Sequence, residues 1–235
     1  MGDRRTAAAD AVELRQQVID TCFYMRDRLG YFVSTWGNIA VRVHEGLIVT
    51  PSRVNYEELG PDDLVLISWE GKRLKGERLP TSETELHRQI LLERPDLGAT
   101  IHTHSPWASV CACAHRSIPV IADDMAEVIG GEVHCARYVP AGHHRDLAQA
   151  AREAIGPDAT AVLLANHGVL VGGRSLPEAV AGCVIVEKAA MALVHAAAVG
   201  GITPLPEEAW REERHRYLHK YGKPEDTAEL FIAEE

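Results

Sequence analysis

Strand-like alternation across Ala99-Thr-Ile-His-Thr-His-Ser-Pro106 constrains this chain more than any other stretch. Ala99, Ile101 and Thr103 alternate with Thr100, His102 and His104. Successive side chains of a strand point to opposite faces, so both imidazoles emerge on the same one, at the strand's end. A pair so placed can chelate a divalent transition metal without bending the backbone. Twelve histidines in 235 residues make chance pairs at this spacing common, so the pair alone leaves a metal site and a coincidence equally open.

The surrounding elements alternate in type. Leu14, Val18, Cys22, Met25 and Leu29 recur at helical steps, and Gly30 ends that helix. A hairpin follows, from Ile39 to Val43, through His44-Glu45-Gly46, and back over Leu47 to Thr50. Leu64 to Ser68 reads as another strand. The next helix opens at Thr81-Ser82-Glu83-Thr84-Glu85, where Ser82 and Glu85 have capping-box spacing, and Pro95 stops it. Beyond the histidine-bearing strand come a helix from Pro106, a buried strand over 161–165, a turn at Asn166-His167-Gly168 and a strand over 169–171. Ser175, Pro177 and Glu178 start a long Ala-rich helix that reaches about Gly200. Interleaved strands and helices with hairpins predict one α/β domain over residues 1–235: an α/β/α sandwich around a mixed, mainly antiparallel sheet. Residues 201–235, with a charged helix from Glu207 to Lys220, form a C-terminal extension.

Composition narrows the function classes. A net charge of −10 argues against general nucleic-acid binding, yet leaves room for a small anionic substrate met by local positive groups. The five cysteines (22, 111, 113, 135 and 183) are odd in number and read as small buried hydrophobes of a reducing cytosol; Cys111-Ala-Cys113 as a soft-metal pair is the alternative. No signal peptide is visible, and the most apolar helical stretch, Ala189 to Val199, reads as too short for a membrane span. The expectation is a cytoplasmic protein without a membrane partner.

Several residues are candidates for chemistry. His167 sits where a buried strand ends in a tight turn, which suits a stiffly held third ligand, or equally a histidine bonded to nearby backbone. Glu83 lies in the first turn of its helix, where N–H groups and the helix dipole favour an anion; a glutamate that merely improves the helix fits there too. Thr81 and Ser82 beside it, Gly37-Asn38 before the hairpin, and Ser52-Arg53 after it supply the kind of donors that converge on a phosphate. Neither a P-loop nor a GxGxxG motif occurs. Tyr217 and Tyr221 in the extension can donate a proton if held in a site, although surface packing is the commoner fate.

Taken in order, these pieces resemble the class II aldolase/adducin family, in particular its fuculose-1-phosphate aldolase branch. The family pattern GN, TP[ST], PSSE, HxH, [NH]HG stands here as Gly37-Asn38, Thr50-Pro51-Ser52, Pro80-Thr81-Ser82-Glu83, His102-Thr103-His104 and Asn166-His167-Gly168. The resemblance implies that His102, His104 and His167 bind one divalent transition metal per subunit, usually zinc, with manganese and cobalt as alternatives. It implies that Glu83 is the acid/base, and that Gly37, Asn38, Ser52, Thr81 and Ser82 hold the substrate phosphate. It implies a homotetramer in which Tyr221, in Lys220-Tyr221-Gly222, reaches a site across a subunit boundary.

Two positions depart from the pattern. Arg53 replaces a glycine, and Asp123-Asp124 stand where the aldolases carry a proton-donating tyrosine. The reaction implied is reversible cleavage of a ketose 1-phosphate to dihydroxyacetone phosphate and an aldehyde. A decarboxylase of a 3-keto acid or its phosphate is the alternative, with Arg53 receiving the carboxylate. Less fitting are a dehydratase of a methylthio-pentulose phosphate, a pentulose 5-phosphate epimerase, whose branch has aspartate at the position of Glu83, and a non-catalytic adducin-like interaction module.

Overall fold

The computed structural model describes residues 3–222, with side chains from residue 12 onward. Eight strands form one sheet in the order β4-β3-β2-β1-β5-β8-β7-β6. They are β1 (Asn38–Val43), β2 (Gly46–Val49), β3 (Val65–Ser68), β4 (Arg73–Lys75), β5 (Ala99–Thr103), β6 (Cys135–Ala136), β7 (Ala161–Leu164) and β8 (Gly168–Gly173). Every pairing is antiparallel except β6 with β7, which bears out the mixed, mainly antiparallel sheet.

Period-two alternation divides the core into two layers. Ile39, Val41, Ala99, Ile101, Val169 and Val171 face helices α1 (Asp3–Phe23), α3 (Pro106–Cys113) and α5 (Leu176–Ala196). Ala40, Leu47, Val49, Val162 and Leu170 face α2 (Thr84–Glu93) and α4 (His144–Ile155). Asn38, Thr100 and His102 share the parity of this second set, so three polar side chains project into the α2/α4 layer at the β1–β5 junction. α4 carried no expectation from the sequence, although Leu147, Ala151, Ala154 and Ile155 recur at helical steps.

Helix ends depart from expectation in instructive ways. The Ser82–Glu85 capping box does not form: α2 begins at Thr84 with Glu83 in the N-cap position. The Glu85 carboxylate turns instead to Arg88 and Gln89. At α5 the expected start holds, with Ser175 Oγ accepting from the Glu178 N–H. The α3 N-terminus is capped from α5, where buried Glu187 accepts from the Trp107 and Ala108 N–H groups at 2.8 and 2.9 Å.

Two expectations are corrected. The apolar helical run is not the short stretch from Ala189 to Val199. It extends over Leu176–Val199, long and apolar enough by length and composition to cross a bilayer. Within this fold one face of it packs on the sheet through Ala179, Gly182, Cys183, Val186 and Ala190, so that a Cβ on Gly182 would lie 2.7 Å from Val171. The cysteines are free, and Cys111 is buried while Cys113 is exposed, so those two do not form a ligand pair. Two residues along a helix turn the chain about 200°, which puts them on different faces.

Part of the C-terminal extension, 223–235, lies outside the described residues. Within it, α6 (Glu207–His219) packs on the main body: Arg214 donates to the carbonyls of Glu127 and Val128, and the Leu205 N–H to Val120.

Candidate metal centre and its carboxylate

His102 is fully buried on the penultimate residue of β5. Its Nδ1–H donates to the Val169 carbonyl across the strand pair at 3.0 Å, which leaves the Nε2 lone pair facing inward. His104, just past the strand, brings its Nε2 to 3.0 Å from that atom, and its N–H donates to the Tyr31 carbonyl. His167 arrives from the β7–β8 turn. Asn166 takes the left-handed conformation there (φ 56°), which asparagine tolerates better than most residues. Its side-chain oxygen lies 2.6 Å from His115 Nε2.

The three histidines offer ligand atoms that all lie within 4.8 Å of one another, a group that can hold a metal ion. Three imidazoles bound to zinc at ordinary distances place their nitrogens roughly 3.3 Å apart, so this set needs only a small adjustment. Burial depresses His102 to about 3. It also lowers His104, with the neighbouring His167 adding to the effect. Both are therefore neutral, the ligating form, at neutral pH.

Glu83 closes the group. Its Oε1 lies 3.1 Å from His167 Nε2 and its Oε2 3.4 Å from His102 Nε2. The Asn38 side-chain amide donates to Oε2 at 2.7 Å. Burial alone would raise the Glu83 carboxyl; any charge on the facing His102 and His167 rings, and the hydrogen bonds to His167 and the Asn38 amide, act the other way and bring the group below the usual carboxylate range. The site thus sets a carboxylate against three converging imidazoles, a group of donors that could hold a divalent ion.

The expected phosphate residues are brought to one edge of this site. The Thr81 N–H donates to the Thr50 carbonyl and the Ser52 N–H to that of Leu79, zipping the two loops together. These backbone donors are committed. So is the Asn38 side chain, and the Gly37 carbonyl accepts from the Tyr56 hydroxyl at 2.5 Å. Ser82 and Arg53 are exposed. Arg53 sits at φ 58°, the backbone state that a glycine adopts without strain.

Other expected groups lie elsewhere. Tyr221 is 57% exposed and packs on Tyr217, whose hydroxyl donates to Glu178. Glu178 follows the far end of β8 from His167, and five strand steps span about 16 Å. Tyr221 is thus held away from the histidines of its own chain. Asp124 is ion-paired with Lys188 on α5.

Three features of the site carried no expectation. Buried His87 on α2 bonds to Asn38 and Thr100. Trp36, 63% exposed, stacks 6.2 Å from His104. The Tyr138–His144 loop walls a cavity of about 250 Å³ with Ser82, Glu83, Asn166 and His167. His87 was legible in principle, one helical turn after Glu83; the loop has no periodicity to read.

Residues 16–194 match the Class II Aldolase and Adducin N-terminal domain, and the chain belongs to that family. It is 35% identical over 221 residues to the 5-methylthioribulose-1-phosphate/5-deoxyribulose-1-phosphate aldolase of Rhodospirillum rubrum, covering 93% of this chain and 96% of that one. It is 35% identical over 167 residues to the L-fuculose phosphate aldolase of Escherichia coli strain K12, covering 71% and 76%. A solved L-fuculose 1-phosphate aldolase superposes with a TM-score of 0.83 at 30% identity, over 88% of this chain and 96% of that one.

Proposed function

We propose that this chain is a zinc-dependent aldolase that reversibly cleaves a ketose 1-phosphate to dihydroxyacetone phosphate and an aldehyde. The observation that carries the reading is the Glu83 carboxylate, poised 3.1 and 3.4 Å from two of three converging imidazoles. His102, His104 and His167 hold the ion, which supplies Lewis-acid stabilisation of the negative charge that develops on the substrate oxygens. In cleavage the C3–C4 bond breaks, its electron pair goes to C3 as the enediolate, and the C4 hydroxyl proton passes to solvent by way of the group at the aldehyde oxygen. Glu83, ionised at rest, takes a proton from solvent in the substrate complex and delivers it to C3. In the reverse direction the same carboxylate removes that proton.

Ser82, Thr81, Ser52 and Arg53 line the side where the phosphate is received. Tyr221, at the opposite end of the sheet, serves the site of a neighbouring subunit in a cytoplasmic homotetramer of single-domain chains. The test is zinc-loaded protein against a panel of ketose 1-phosphates, headed by the 5-deoxy and 5-methylthio pentulose compounds named for the R. rubrum relative. Aldehyde release supports the reading. Arg53, an exposed cation on the loop that the Ser52 N–H ties to Leu79, favours a decarboxylase as the second reading, and CO2 release from a 3-keto acid phosphate without aldehyde would establish it instead.

A further inference from the structure

We propose that His87 is a positioning residue for Glu83, acting through Asn38 along a line of hydrogen bonds from Thr100; the proposal rests on the catalytic role given to Glu83 above. His87 lies one turn after Glu83 on α2 and is fully buried. Its Nδ1 is 2.7 Å from Thr100 Oγ1 and its Nε2 is 2.6 Å from Asn38 Oδ1. Asn38 Nδ2 in turn donates to Glu83 Oε2 at 2.7 Å.

One arrangement of protons satisfies the whole line. The Asn38 Nδ2 is the atom placed against Glu83 Oε2, at 2.7 Å, so the amide presents its NH2 there. The Asn38 carbonyl then faces His87, which must donate through Nε2–H. The His87 Nδ1 is left as a lone pair, and the Thr100 hydroxyl donates to it. Burial pushes His87 down to about 4, against the opposing charge of Glu83, so the ring stays in the neutral form this arrangement requires.

The consequence reaches the reacting group. Turning the Asn38 amide over would set its carbonyl oxygen 2.7 Å from a carboxylate oxygen, two acceptors with no proton between them. His87 blocks that flip and so fixes which oxygen of Glu83 faces His102 and which faces His167. Asn38 has both polar side-chain atoms engaged, which assigns its side chain to holding the acid/base rather than to gripping phosphate. The sheet builds this device directly, since Asn38 and His102 are register partners on β1 and β5 and Thr100 stands two residues before His102 on the same face.

The experiment has two arms on the zinc-loaded full chain. In the first, nitrogen NMR reads the His87 tautomer in the wild-type protein near neutral pH. A proton on Nε2 with a bare Nδ1 supports the line, and a proton on Nδ1 overturns it. In the second, steady-state kinetics compare His87→Leu with His87→Gln, whose side-chain NH2 and carbonyl reproduce the donor to Asn38 and the acceptor for Thr100. The expected result is a fall in kcat of roughly 10–100-fold for His87→Leu, with KM and bound zinc unchanged, and recovery of most of it in His87→Gln. A His87→Leu protein with wild-type kcat, or a folded His87→Gln protein no better than His87→Leu, overturns the proposal. Wild-type protein that cleaves no ketose 1-phosphate would remove the aldolase reading, and the tautomer arm would still decide the line.

Discussion

Gly168 stands so close to β5 that a Cβ built on it would fall 2.4 Å from the Thr103 carbonyl oxygen and 3.1 Å from His102 Cε1. The glycine that follows His167 therefore does two things at once. It lets β8 begin against β5, and it leaves room for the buried ring that the β8 residue Val169 orients through its carbonyl. Gly168→Ala should destabilise the protein by about 1–3 kcal/mol, the range for overpacking, and lower its zinc content after dialysis. Urea unfolding and elemental analysis read the two effects, and an unchanged midpoint with full zinc would refute the packing argument.

Glu83→Gln keeps the shape of the side chain but removes its charge and its basicity. All three histidines remain, so zinc should stay bound while kcat drops about 100–10,000-fold, the usual span for a lost general acid/base. Turnover near the wild-type level would exclude Glu83 from proton transfer.

Arg53 holds a left-handed backbone at φ 58°. Changing it to glycine relieves about 1–2 kcal/mol of steric cost but frees the unfolded chain by about 0.4–1 kcal/mol, so net stability should move little. The discriminating effect is in KM for the phosphorylated substrate, which should rise as the cation is lost, with kcat kept. An unchanged KM would show that Arg53 does not meet the substrate.

The metal-free protein should weaken in mild acid. Burial lowers His87 from 6.5 to about 4. Above pH 6.5 neither folded nor unfolded protein protonates this ring, and stability is unaffected by it. As pH falls toward 4 the unfolded chain takes up the proton and the native state does not, so stability is lost, and below 4 the loss levels off. The shift corresponds to about 3 kcal/mol over the full window. Urea midpoints at pH 7 and 5 should therefore separate more in wild type than in His87→Gln, and equal separations would contradict a buried neutral His87.

Most elements and the three histidines could be read locally. Alternation over 99–104 places His102 and His104 on one face whatever the sheet order, and an Asn-His-Gly turn between two apolar runs puts His167 at a strand end. Both signals live within a few residues. Helix boundaries were less legible: Ser82 and Glu85 have the spacing of a capping box, yet Arg88 and Gln89 claim the Glu85 carboxylate and the helix starts at Thr84.

What only the tertiary structure decided is how distant residues share protons and space. Pairing of β1 with β5 sets Asn38 beside His102, and the α2 N-terminus docked over that face brings Glu83 to both His102 and His167. His87 became part of the site only because α2 turns that face of the helix onto Thr100 and Asn38. Tyr221 was separated from its own chain's histidines because α6 is fastened to the opposite end of β8. The physical reason is range. Side-chain direction along a strand is a property of the local backbone, whereas the choice of hydrogen-bond partner for a buried amide or imidazole is settled by whichever element the packing of the sheet places within 3 Å of it.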